Sequence, residues 1–521
     1  MVTGLLRSIF TFSSLTFVSR ILGLLRDVII AGVFGSGTQT DAFIVAFKIP
    51  NFMRRITAEG AFSQAFVPVL TDYLTHNTRG EARALVAYSA GTLAAALLVL
   101  TALGMLGAPA AVTLFAPGFG DDPERFALTV ELLRVIFPYI LLISLVACAG
   151  AVLQTCGRFA SFAFAPVLLN VAMIAAALWA TPWFAEPIMA LAVAVTLGGV
   201  LQLLLQLPFL YREGLLVVPR PSLRHPGVRR VIRLMGPVIL GSSVMQLNLL
   251  VDTILASFLV TGSVSWLYFS DRMVEFPLGV FGIALGTVLL PRLSAEHAAQ
   301  APERFTRTLD WGLRLVLLVV APATLGLILL AGPILATLFQ YGAFGAQDVT
   351  AAAWSLAAYS AGLFGFVLVK VLTPGYFSRE DMKTPVYCAA AAVVVNLVLS
   401  VNAVWWLHET PYGHVALAGA TAVSATVNAA LLLTGLIRRG VYRGGDGWPR
   451  LVLQVALAST LMGVAVLYPA LRLEDWLAAG VLARGAALVG LVLAGAGVYA
   501  GALYLLGVRP WQFREPAAVD T

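Results

Sequence analysis

Fourteen mostly apolar stretches, each about 20 residues or longer, follow one another along this chain, and no other feature restricts its fold as strongly. They lie near 8–34, 40–73, 84–107, 130–155, 160–180, 186–210, 231–260, 264–291, 309–331, 351–375, 385–405, 414–437, 451–469 and 481–506. As helices, each can cross the roughly 30 Å hydrocarbon core of a bilayer. The polar remainder is too small to coat a water-soluble core. Charged residues make up 11% of the 521, against about 25% in soluble domains, and 60% are hydrophobic. Disorder is excluded, and a soluble enzyme or nucleic-acid binder is strongly disfavoured. The expected fold class is an all-α polytopic membrane protein with about 14 transmembrane helices.

The charge pattern supplies an orientation. The loop after the sixth stretch carries Arg212, Arg220, Arg224, Arg229, Arg230 and Arg233; those after the eighth, tenth and twelfth add Arg292, Arg304, Arg307, Arg379, Lys383, Arg438, Arg439, Arg443 and Arg450. The alternate loops are acidic, with Arg125 and Arg472 nearly their whole basic content. Cytoplasmic loops collect Lys and Arg, so the even-numbered loops and both termini are expected in the cytoplasm. The net charge of +7 then records topology, and no nucleic-acid partner is expected. Arg20, Arg26 and Asp27 interrupt the first apolar run, so it is expected to be the first span rather than a cleaved leader. Cys148, Cys156 and Cys388 are odd in number and sit in apolar stretches, and the five histidines form no HExxH pattern. No disulfide framework or catalytic metal is expected.

The chain also repeats itself. Leu24–Ala31 matches Leu249–Ala256 at an offset of 225 residues, and Phe66-Val67-Pro68 matches Leu289-Leu290-Pro291 at 223. Six spans per repeat is an even number, so the two lobes should share one orientation, related by a pseudo-twofold axis along the membrane normal. The expected divisions are 1–218 (spans 1–6), 219–445 (spans 7–12) and 446–521 (spans 13–14 and the C-terminus).

Ionisable residues inside the apolar stretches concentrate in three spans. Span 1 holds Arg20, Arg26 and Asp27; span 2 holds Asp41, Lys48, Arg54, Arg55 and Glu59; span 8 holds Asp271, Arg272 and Glu275. An arginine at a helix centre costs roughly 2.5–3.5 kcal/mol on insertion scales, so these groups must face water, one another or a charged ligand. Helical spacing puts Arg20 on one face with Asp27 and Asp41 on one face with Lys48, and lets Glu275 meet Asp271 and Arg272. Pro50 and Gly60 should interrupt span 2, as Pro277 and Gly279 should interrupt span 8. Broken helices at that depth belong beside a cavity. Arginine's planar fork suits phosphate. The alternative for these groups is a set of internal ion pairs or interfacial side chains.

The blocks Ser19–Asp27, Thr40–Phe43 and Lys48–Pro68 closely resemble the MurJ (MviN) family, bacterial lipid II flippases of the multidrug/oligosaccharidyl-lipid/polysaccharide exporter superfamily. Asp271–Val280 and Lys370–Phe377 carry further likeness, and the resemblance covers the whole chain. It implies transport of undecaprenyl-pyrophosphate-linked lipid II to the outer leaflet by alternating access around a cationic cavity in the bacterial inner membrane. It implies that Arg20, Arg26, Arg54 and Arg272 bind the pyrophosphate. Asp27, Asp41, Asn51, Glu59 and Glu275 would pair with them or shape the cavity, and Lys370 would be a cavity cation or interface partner. Spans 13 and 14 would form a groove for the lipid tail. No GxxxxGK[ST] motif is present, so an ion gradient or the membrane potential is the expected energy source and no cofactor is expected. A sodium site would use Asp252 and Asn396, with Ser400 rather than an acid four residues beyond Asn396. The expected partners are lipid II and membrane lipids, with cell-wall synthesis or division proteins further candidates; a monomer is the expected working form. The competing functions are a flippase for another polyprenyl-linked glycan, a multidrug exporter, a membrane-embedded lipid II glycosyltransferase, and a non-transporting scaffold. The glycosyltransferase would need a carboxylate in a large outer loop. The longest, near 108–129, reads as a turn holding Asp121, Asp122 and Glu124.

Overall fold

The computed structural model describes the backbone of residues 2–55, 62–158 and 160–509, which is predominantly helical with no strand among those residues. The chain divides into two compact units, Met1–Ser265 and Trp266–Thr521. The first contains α1 (Val2–Phe34), α2 (Thr38–Arg54), α3 (Ser63–His76), α4 (Arg79–Leu106), α5 (Ala108–Phe115), α6 (Pro123–Ile136), α7 (Tyr139–Thr155), α8 (Ala160–Ala175), α9 (Met189–Arg212) and α10 (Pro226–Ala256). α11 (Ser263–Pro277) starts at the division. The second unit continues with α12 (Ala284–Ala298), α13 (Pro302–Leu329), α14 (Ala331–Phe339), α15 (Ala346–Ala361), α16 (Leu363–Phe377), α17 (Lys383–Leu407), α18 (Gly413–Arg438), α19 (Trp448–Leu471), α20 (Leu473–Ala478) and α21 (Val481–Leu505).

Eleven helical stretches among the described residues are long and apolar enough to cross a membrane. Three further helical stretches, α1, the α2–α3 pair and α10, lie where the apolar pattern places the remaining spans. Together they make the fourteen long segments expected from the apolar pattern. The repeat is visible in the helix starts. α4, α5 and α6 begin at Arg79, Ala108 and Pro123, and α13, α14 and α15 begin at Pro302, Ala331 and Ala346, each 223 residues later.

Local chemistry sets the ends. Thr78 accepts the Glu81 N–H at 3.3 Å while Glu81 Oε2 accepts the Thr78 N–H at 2.9 Å, a reciprocal cap that opens α4. Asp122 accepts the Arg125 N–H at 3.1 Å, and Pro123 fills the first position of α6, where its missing donor costs nothing. Residues 108–129 are therefore not the open turn expected of them: α5, a 3-10 turn at Pro117–Asp121 and the start of α6 occupy nearly the whole stretch. Arg125 leaves the outer loop set and joins a membrane-spanning helix.

The interruptions also differ from expectation. α2 continues through Pro50 to Arg54, and Gly60 lies outside the described residues. α11 continues through Pro277 into a π-helical turn, Leu278–Ile283, and then into α12, so span 8 carries a bulge rather than a break. The glycines there serve close packing. A Cβ on Gly282 would stand 3.3 Å from Lys370 Cγ, and one on Gly286 3.2 Å from the Lys370 carbonyl.

The segment after α9 lies along α4. The Arg220 N–H donates to the Ala87 carbonyl at 3.0 Å, and the Ser222 N–H to Thr92 Oγ1 at 3.0 Å. Gly91 permits this approach, since a Cβ there would fall 2.3 Å from the Arg220 backbone. Phe66 and Leu70 of α3, Leu85 of α4, Leu153 of α7 and Leu210 of α9 close the apolar core beside it.

Candidate functional site

The charges of α1 and α2 are held largely by side chains of the same or neighbouring helices. Arg26 is buried, and its Nε and Nη2 both reach Asp27 Oδ1, at 3.0 and 2.7 Å. Its Nη1 donates to Asn170 Oδ1 of α8 at 3.1 Å and lies 3.9 Å from Met173 Sδ. Asn170 in turn donates to the Ser19 carbonyl at 3.2 Å, so one amide ties α1 to α8. The partner of Asp27 is therefore its neighbour Arg26 and not Arg20, which is exposed. A guanidinium on a three-carbon stem is long enough to fold back on the adjacent carboxylate.

On α2, Arg54 Nε donates to Asn51 Oδ1 at 3.2 Å, one turn back, and Asn51 Nδ2 donates to the Phe47 carbonyl at 3.0 Å. Lys48 Nζ reaches Thr253 Oγ1 of α10 at 3.4 Å. Glu59 lies outside the described residues. On α11, Tyr268, Arg272 and Glu275 form a stripe at helical spacing. Arg272 Nη1 lies 2.8 Å from Glu275 Oε2, its Nη2 lies 3.2 Å from the Tyr268 hydroxyl, and its guanidinium carbon sits 5.2 Å from that ring's centroid. Lys370 is exposed on α16.

Asp41 finds its partners beyond its own helix. It is fully buried, and its partner is Arg125, 84 residues away, with Nη2 at 2.6 Å from Oδ2. Oδ2 also accepts the Gly262 N–H at 2.7 Å; Oδ1 accepts the Ser265 N–H at 2.9 Å and the Ser265 hydroxyl. Arg125 is sandwiched in turn, 3.7 Å above the Phe119 ring. One carboxylate thus binds α2 to α6 and to the turn between α10 and α11. It pairs neither with Lys48 nor with the arginines of α1.

Of the expected sodium ligands, Asn396 is fully buried on α17 and accepts the Ser400 hydroxyl at 3.3 Å. Asp252 is half-buried on α10. No group of three or more His, Cys, Asp or Glu side chains stands ready to hold a metal among the described residues.

Two charged centres in the second unit are not singled out by the sequence pattern. Asp310 of α13 collects donors from the segment before α19, and Arg484 of α21 is buried without a carboxylate among its described partners. For Arg125 a signal does exist: Asp122-Pro123-Glu124 is a helix-start pattern. For the others, Arg314 stands one turn from Asp310, but Tyr442, Trp448 and Ala336 are too far along the chain to be matched by spacing.

The arrangement places arginines within membrane-spanning helices, and the planar arginine fork suits a phosphorylated group. The family description "Lipid II flippase MurJ" matches residues 30–486. The probable lipid II flippase MurJ of Vibrio cholerae is 46% identical over 97% of both chains, and the lipid II flippase MurJ of Burkholderia cenocepacia is 42% identical over 99% of this chain and all of the other. A solved structure of a lipid II flippase MurJ in an inward closed conformation superposes with a TM-score of 0.78 at 25% identity, covering 95% of this chain and 98% of the other. An inward-facing MATE multidrug transporter of the MOP superfamily shares the fold, with a TM-score of 0.65 at 16% identity over 83% of this chain and 98% of its own. The chain belongs to the lipid II flippase MurJ family.

Proposed function

We propose that this chain carries lipid II from the inner to the outer leaflet of a bacterial inner membrane, with both termini in the cytoplasm and a single chain as the working unit. The family match over residues 30–486 carries the reading. The arginines buried or half-buried in membrane-spanning helices supply its chemistry. Arg26, Arg54 and Arg272, with Arg20 at the exposed face of α1, would bind the pyrophosphate; Asp27, Asn51, Glu59 and Glu275 would keep their forks oriented, and Lys370 would add cationic charge. The polar head group cannot enter hydrocarbon and needs a hydrated path, whereas the polyprenyl tail can stay in lipid beside α19 and α21. The ligand drives a conformational change only if it binds one state more tightly than the other, and a pyrophosphate drawing arginines from α1, α2 and α11 meets that condition. Asp252 and Asn396 are our candidates for coupling to a sodium gradient.

Arg26→Ala or Arg272→Ala, expressed at normal level, should fail to support growth of a bacterium depleted of its own flippase. Full growth with both substitutions together would refute the cationic-site reading. Lipid II should become accessible outside only while the protein is active, and accessibility that survives acute inhibition would remove the flippase role.

A further inference from the structure

α19, α20 and α21 lie outside the repeated set of helices, and what fastens them to it is polar. Their apolar contacts are ordinary: Leu451 and Val455 meet Leu317 and Leu318 of α13, and Val466 meets Leu329 and Leu330. In a bilayer such contacts have little hydrophobic drive, because lipid tails are as apolar as leucine. Exposed Leu453, Leu457 and Leu461 on α19, and Leu482, Val489 and Leu493 on α21, show how readily both helices would stand in lipid alone.

Two buried charges resist that. At the end bearing the arginine-rich loops, Asp310 Oδ1 accepts the Tyr442 hydroxyl and the Trp448 Nε1–H, both at 2.7 Å, and the Gly445 N–H at 3.3 Å. Its Oδ2 accepts Arg314 Nε at 2.6 Å, and Arg314 Nη2 donates on to the Asp446 carbonyl at 2.8 Å. A Cβ on Gly445 would lie 2.9 Å from Asp310 Oδ2, so the loop seats directly on the carboxylate. Trp448 begins α19, so this centre fixes where that helix starts. At the opposite end Arg484, 7% exposed, donates from Nη1 to the Ala336 carbonyl at 3.0 Å and from Nη2 to the Leu477 carbonyl at 2.8 Å. Both carbonyls belong to the final turns of helices, α14 and α20, where the backbone leaves acceptors unsatisfied and the dipole is negative. Between the two ends, the Tyr499 hydroxyl of α21 donates to the Leu318 carbonyl at 2.7 Å.

We propose that Asp310 and Arg484 are positioning residues that moor α19–α21 to α13 and α14 at both membrane faces, so that a long polyprenyl tail passes a fixed helical wall while the head group is moved. The role rests on the lipid II reading above, and it predicts selectivity by tail length. Loss of the moorings leaves the head-group arginines untouched and frees only the wall.

The test uses the full-length protein in liposomes with two lipid II analogues, one carrying the full polyprenyl tail and one a short tail of three isoprene units. Asp310→Leu, Arg484→Met and the double variant should move the long-tailed lipid at least about 10-fold more slowly, while the short-tailed lipid changes less than about twofold. Asp310→Asn keeps an acceptor for Tyr442 and Trp448 and should restore most of the long-tail rate. Equal loss for both tails, or no loss for either, overturns the proposal. Spin labels at Val319 of α13 and Leu461 of α19 check the mooring itself in a cysteine-free background. Their distance distribution should broaden in Asp310→Leu and stay narrow in Asp310→Asn, and an unchanged distribution in Asp310→Leu also overturns it. Wild-type protein that moves neither lipid defeats the flippase reading, and the spin-label result still decides whether the moorings exist.

Discussion

Removing one member of the Asp41–Arg125 pair strands the other charge out of water. The side chains are 0% and 4% exposed, so this is a buried pair, for which loss of one partner costs about 3–5 kcal/mol. Arg125→Gln leaves Asp41 with the Gly262 N–H, the Ser265 N–H and the Ser265 hydroxyl, three donors that can hold a carboxylate but cannot neutralise it. Asp41→Asn leaves Arg125 with a neutral amide and turns an NH2 group toward a site built only of donors. Each single variant should lose about 3–5 kcal/mol in equilibrium unfolding from mixed micelles. The double variant Asp41→Asn, Arg125→Gln buries no stranded charge. It should therefore lose less than the two single losses combined, by about 0.5–3 kcal/mol, the range for residues in direct contact. Additive losses, or single losses below about 1 kcal/mol as in exposed ion pairs, would refute the description of Asp41 as a charge-paired latch.

Two further outcomes concern the loops. Gly91→Val should push the Arg220 segment off α4, because its Cβ would fall 2.3 Å from that backbone; limited proteolysis should cut between residues 213 and 225 faster than in the parent, and overpacking of this kind costs about 1–3 kcal/mol. The Thr384 hydroxyl and N–H that Asp381 accepts in the loop after α16, with its Arg439 pair second to them, hold its carboxyl down to about 2. A depressed carboxylate stabilises the folded state above its ordinary value near 3.9 and loses that contribution as pH falls toward the folded value. The stability difference between the parent and Asp381→Asn should be flat above about pH 5 and shrink between about pH 4 and 2; a difference that persists at the acid end would remove the ion-pair explanation.

What is legible in the sequence depends on whether the cost of a residue is local. A charge in an apolar stretch is anomalous wherever its partner lies, so Arg26, Arg54, Arg272 and Asp41 stand out from the sequence alone. The partners are another matter. Helical spacing places Asp27 on a face with Arg20 and Asp41 on a face with Lys48, and it goes no further because it considers only one helix. Asp27 instead meets the residue beside it, and Asp41 meets Arg125 on a different helix. Arg125 has the look of a loop residue because the Gly and Pro near 108–129 suggest a turn, although Pro123 after Asp122 marks a helix start. Asp310 is inconspicuous at the polar edge of its span, and its significance comes from Tyr442 and Trp448, more than 130 residues later. The helix count and the repeat are legible because hydrophobic length and self-similarity need no partner.

The π-helical turn at Leu278–Ile283 has a consequence for how this span tolerates change in length. Such a turn stores one residue more than an α-helical turn would, while the helix before it and the helix after it keep their own phase. Elsewhere in a packed helix, adding or removing one residue rotates everything beyond it by about 100° and moves every buried side chain off its face. Here the surplus can be withdrawn, leaving an unbroken α-helix with Arg272 and Leu289 still directed as before. The span thus contains one joint where its length and its register are independent.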